Sequence, residues 1–107
     1  MLNGNPGENL IGVEKLKAGE TLVFRPSGNS MKPRVNHKDL VTVEPLKLDA
    51  PVAVGDVVLC KVKGRVMLHL VKALRSDGQV QIGNNHGRIN GWTSRAQIYG
   101  KLTKVEP

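Results

Sequence analysis

The sequence predicts a mainly β fold: a curled antiparallel sheet or partly open barrel with at most one short helix. Three observations carry this. Short runs of Val, Leu and Ile recur along the chain, and such residues suit a pleated, half-buried surface. Glycine turns separate several of the runs, at Lys63-Gly64-Arg65 and at Ser76-Asp77-Gly78, as hairpins require. Aromatic residues are scarce, with one Phe, one Trp and one Tyr (Phe24, Trp92 and Tyr99), so the core rests on aliphatic side chains. At 107 residues the chain forms one domain with a modest core.

Residues 1–9 are rich in Gly, Asn and Pro and read as a flexible arm, leaving 10–107 as the single domain. Leu10, Val13, Leu16 and Lys17 fall at near-helical spacing. This predicts one or two helical turns ended at Ala18-Gly19. Strands are then expected at 21–25, 39–45, 56–63, 65–74, 78–82 and 97–104. A longer connection runs through Asp49-Ala50-Pro51 and Val54-Gly55-Asp56. Residues 83–95 are polar and punctuated by glycine, and read as a long ordered surface loop. Leu22, Val41, Val43, Val57, Leu59, Val71 and Ile82 are the expected core.

Composition narrows the function classes. The net charge of +7 serves solubility, or attraction to an acidic partner such as nucleic acid or a phospholipid surface. Basic residues are spread along the chain instead of forming a run, which weakens the second reading. The single cysteine, Cys60, allows no internal disulfide. Within Val57-Val58-Leu59-Cys60-Lys61-Val62 it reads as a small buried apolar residue. No stretch is long and apolar enough for a membrane span, and Met1-Leu2-Asn3-Gly4-Asn5-Pro6-Gly7 does not read as a signal peptide. A soluble cytoplasmic protein is therefore expected. The histidines are scattered without metal-ligand spacing, so no metal and no cofactor is assigned. His37 and His86 lie in polar segments and are expected to be solvated.

One hexapeptide stands apart. Gly28-Asn29-Ser30-Met31-Lys32-Pro33 follows the apolar run Thr21-Leu22-Val23-Phe24 and places a serine at a strand end. Glycine allows another backbone to come close, and proline fixes its own φ and biases Lys32 towards extended geometry. The hexapeptide resembles the G-x-S-M-x-P nucleophile motif of signal peptidases and the related LexA-like repressor peptidases. Later segments resemble that superfamily in the same order. Gly55-Asp56-Val57-Val58 is similar to its G-D-V-V. His69-Leu70-Val71-Lys72-Ala73-Leu74 is similar to its second catalytic segment. Gly83-Asn84-Asn85 resembles G-D-N, and Ile98-Tyr99-Gly100-Lys101-Leu102 resembles the closing strand. The likeness spans residues 21–104.

The resemblance implies Ser30 as nucleophile and His69 as general base, because a serine hydroxyl needs a partner to take its proton. It also implies a substrate groove and oxyanion site around Gly28, Asn29, Met31 and Pro33, although Met31 fits the core as well. Lys32 and Lys72 are weaker candidates for the base, Lys72 lying on the opposite face of its strand from His69. Relatives with a histidine base usually carry aspartates after it. Here Asn84 and Asn90 stand at the matching places as base-orienting residues without charge. Losing the carboxylate of a serine triad costs about 10⁴-fold in one well-studied protease. Ala18-Gly19 resembles the dipeptide that repressor peptidases cut in themselves. It lies only eleven residues before Ser30, and the chain between leads away unless it folds back.

Three function classes follow. The first is a serine endopeptidase-like domain acting on a polypeptide substrate. That class includes an intact relic of such a peptidase. The second is a basic β domain that binds nucleic acid or a protein. The third is a small phage or mobile-element protein that uses the same fold to engage a host factor. Nucleic-acid binding has thin support, because single-strand binders stack bases on aromatics over a basic groove. Only Trp92, near Arg88 and Arg95 in sequence, offers such a platform.

Overall fold

The structure is a computed structural model that describes residues 10–26, 28 and 31–107. Helix α1 spans Leu10–Lys17. Among the described residues seven strands follow: β1 (Leu22–Phe24), β2 (Leu40–Pro45), β3 (Val57–Val62), β4 (Arg65–Leu74), β5 (Gln79–Gly83), β6 (Ile89–Ser94) and β7 (Ile98–Glu106). They form one sheet in the order β1-β2-β7-β3-β4-β5-β6, every neighbouring pair antiparallel. The fold is mainly β with one short helix, as the sequence predicts. The expected arm at residues 1–9 lies outside the described residues.

Helix α1 buries Val13 and Leu16 and ends as its sequence implies. The Glu20 N–H donates to the Lys15 carbonyl (2.9 Å) and the Gly19 N–H to the Leu16 carbonyl (3.0 Å), a glycine-terminated cap. The Ala18-Gly19 dipeptide is thereby tied into the helix end. The β3–β4 hairpin turns on Lys63-Gly64, with φ of 51° and 80°. Two successive positive φ values make the turn that matches the twist of paired strands.

Strand β3 alternates between two buried clusters. Val57 and Leu59 join Leu16, Leu22, Phe24, Met31, Val35, Val41, Val43, Leu68 and Leu70. Val58, Cys60 and Val62 join Val71, Val80, Ile82 and Ile98. A strand buried on both faces needs two covers. Helix α1 and the segment bearing Met31 and Val35 contribute to the first cluster. The second is closed by curling of the sheet itself. Two strands separate β6 from β3 in the sheet order, yet the Thr93 hydroxyl donates to the Lys61 carbonyl at 2.7 Å. The seven residues expected in the core are each no more than 3% exposed. Cys60 is fully buried, and burial pushes its thiol up to about 12.

Residues 83–95 are corrected. They are not one long loop: they contain β6, paired to β5 through a short connection at 84–88. Apolar alternation is broken inside β6 by Asn90 and Gly91, so its sequence lacks the strand signature. The strand is held by its ladder to β5 and by Thr93. The 46–56 connection is also ordered. The Arg95 guanidinium donates to the carbonyls of Lys47 (2.7 Å), Ala50 (2.8 and 3.1 Å) and Ile98 (3.0 Å). No helix among the described residues is long and apolar enough to cross a membrane.

Helix α1 rests on β7 at Gly100, which is buried. A Cβ there would stand 2.7 Å from Val43 Cγ1, 2.8 Å from the Glu44 carbonyl and 2.9 Å from Leu16 Cδ1. Gly100→Ala should therefore cost about 1–3 kcal/mol through overpacking. Urea unfolding checks this: the midpoint falls while the slope stays unchanged. An unchanged midpoint would show that the helix shifts away freely.

Candidate active site

His69 lies in the middle of β4, opposite Val58 of β3. Strand alternation puts it on the face of Met67 and Val71, at the margin of the second cluster. Leu68 and Leu70, on either side of it in sequence, point into the first cluster with Met31. The ring is half-buried.

Its described partner comes from β6. Ile82 of β5 pairs with Gly91 and Gly83 pairs with Ile89, so Asn90 is an extra residue with no opposite number. Such a bulge re-aims the side chain that it carries. Here Asn90 Oδ1 lies 2.8 Å from His69 Nδ1. An amide oxygen only accepts, so Nδ1 carries the proton and Nε2 the lone pair. Burial holds the imidazole below the ordinary value of 6.5; the Asn90 hydrogen bond opposes this, and the charge of Arg88 adds to the lowering. The ring is therefore neutral at neutral pH.

Asn84 does different work. Its Oδ1 accepts from the backbone N–H groups of His86 (2.8 Å) and Arg88 (3.0 Å), and its own N–H donates to the Arg88 carbonyl (2.9 Å). It closes the 84–88 connection. Lys72 is the extra residue in a bulge of β4, and its ammonium donates to the Asn84 carbonyl at 3.2 Å.

Of the serine hexapeptide, Asn29 and Ser30 lie outside the described residues. Gly28 is exposed, with a φ of +100° that a side chain would strain. Met31 is 5% exposed and packs in the first cluster. Pro33 and Lys32 are exposed. Two contacts had no sequence signal. The Gly28 N–H donates to His37 Nδ1 (2.9 Å), although His37 is exposed as expected. Asn85 Nδ2 donates to the Lys32 carbonyl (2.7 Å), tying the hexapeptide to the β5–β6 connection.

Trp92 and its neighbouring cations are arranged as follows. Arg95 spends its guanidinium on backbone carbonyls, and Arg75 is the cation that sits over the Trp92 ring, 4.9 Å from its centre. Arg75 is also paired with Asp77 at 2.6 Å.

A family model described as Peptidase S24-like matches residues 7–99. No curated protein and no solved structure matches the chain.

The lowered His69 value has a consequence for stability. The unfolded chain binds this proton more tightly than the folded one, so stability rises with pH across the window between them. The contribution is present above 6.5 and is lost as pH falls through the lowered folded value. Urea unfolding across that window should show a shallower acid decline for His69→Gln than for the natural chain. Parallel profiles for the two would contradict it.

Proposed function

The chain belongs to the Peptidase S24-like family, and on that premise we propose that it is a serine endopeptidase-like domain with Ser30 as nucleophile and His69 as general base. One observation carries the reading: the Asn90 oxygen holds Nδ1–H of His69, which leaves the lone pair on Nε2. That is the tautomer a general base needs. The Ser30 hydroxyl attacks a peptide carbonyl while Nε2 takes its proton. The Ser30 backbone N–H helps to hold the oxyanion. The imidazolium then returns the proton to the departing amine, and water releases the acyl group by the same route.

The site is built for slow turnover. Asn90 orients the ring but offers no charge to the imidazolium that forms, and Arg88 opposes that charge. The same two residues favour a second reading, a peptidase fold that binds a protein or nucleic acid without turnover. Its nucleic-acid arm is the weaker, because Arg95 and Arg75 are already engaged.

A fluorophosphonate probe tests the proposal. Intact mass should show one adduct on Ser30, absent from Ser30→Ala. His69→Ala should slow labelling by about 10²–10⁴-fold. Asn90→Asp should speed it at neutral pH, since a carboxylate stabilises the imidazolium. Labelling should fade as pH falls through the lowered His69 value, and Asn90→Asp should move that acid limb upward. A folded natural chain that neither labels nor cleaves casein would favour the second reading.

A further inference from the structure

We infer that the cavity between the end of α1, the start of the 46–56 connection and residues 94–99 is a binding site for a small amphiphile, an apolar chain that ends in a carboxylate. The inference stands apart from the peptidase reading. Neither His69 nor Asn90 lines the cavity. Ser94, which does, is four strand residues from Asn90, about 13 Å along β6.

The cavity holds about 630 Å³. Small-molecule sites run from about 300 to 1,000 Å³ and are mostly apolar, with a few convergent polar groups. This cavity has that makeup. Leu16, Leu46, Ile98 and the Tyr99 ring form its apolar wall. Leu48 stands at its lip, 72% exposed, and continues that wall outward.

The wall is fixed in place before any ligand arrives. The Arg95 guanidinium donates to the carbonyls of Lys47 (2.7 Å), Ala50 (2.8 and 3.1 Å) and Ile98 (3.0 Å). The Leu46 N–H donates to the Tyr99 carbonyl at 3.1 Å. These bonds hold the connection against the start of β7. Arg95 does not line the cavity, so its hydrogen bonds shape the wall without filling the space.

The polar groups left in the lining are donors. The Tyr99 hydroxyl donates to Gln97 Oε1 at 3.0 Å, which takes up the amide oxygen. Gln97 Nε2 and the Ser94 hydroxyl have no hydrogen-bond partner among the described residues. Lys47 makes no ion pair among them, and Lys17 has Glu14 at 3.8 Å. No carboxylate is in the described lining. Donors and cations around an apolar space select a negative head rich in acceptors. A carboxylate accepts from an amide and a hydroxyl and pairs with an ammonium at once. A cationic head would meet Lys17 and Lys47 as like charges.

Decanoate is the probe, added to the full chain below its micelle concentration and followed by methyl NMR. The Leu16, Leu46, Leu48 and Ile98 methyls should shift and saturate together, while Ile89, at the far end of β6, stays in place. Decyltrimethylammonium should bind about tenfold more weakly or worse. Lys47→Gln should weaken decanoate about 2–5-fold, the worth of one exposed charge pair. Ala96→Phe, at an exposed position in the lining, should fill the space and abolish saturation with the rest of the spectrum unchanged. The proposal is overturned if decanoate leaves these methyls in place at millimolar concentration, if the cationic amphiphile binds as tightly, or if Ala96→Phe binds as before. Shifts produced by an acidic, leucine-bearing peptide and not by decanoate overturn it as well, and assign the cavity to a polypeptide.

Discussion

A strand buried on both faces must be covered twice, and β3 is that strand here. Val57 and Leu59 point into one cluster and Val58, Cys60 and Val62 into the other. The first contains Leu16 of α1 and the segment with Met31 and Val35. The second is closed because the sheet curls until Thr93 of β6 meets the Lys61 carbonyl. The candidate site uses both arrangements. Met31, which follows Ser30 in the sequence, is buried in the first cluster, and Asn90, the described partner of His69, comes from β6, which covers the second. Packing and placement are the same event.

Electrostatics then decides how the site can work. Burial and the nearby Arg88 cation keep His69 neutral, and Asn90 fixes its tautomer. A neutral ring with Nε2 bare is ready to accept a proton. It is less suited to keeping one, because the amide oxygen supplies orientation without a compensating charge. Arg95 is the opposite case. In sequence it reads as a cation open to a partner, but it spends its donors on carbonyls of Lys47, Ala50 and Ile98 and serves the fold.

The fold was legible where local chemistry and tertiary packing agree. The helix ends where Ala18-Gly19 signals an end, and Lys63-Gly64 turns as glycine hairpins do. Strand β6 was not legible, because Asn90 and Gly91 interrupt the alternation that marks a strand. The residues that hide the strand are those that build its bulge. His69 was legible as a histidine among apolar neighbours in a resembling segment. That Asn90 and not Asn84 faces its ring depends on a one-residue slip in the β5–β6 register, which sequence spacing does not encode. The bonds made by His37 and Asn85 join residues distant in the chain, and neither residue type announces such a contact.

The account turns on the hydrogen bond from His69 Nδ1 to Asn90, and nitrogen NMR of the imidazole observes it most directly. With the ring neutral, Nδ1 should appear as the protonated nitrogen and Nε2 as the bare one. Asn90→Ala should release that preference toward the mixture of a free imidazole. A ring protonated on Nε2 in the natural chain would contradict the account, because it would leave no lone pair there to take the Ser30 proton.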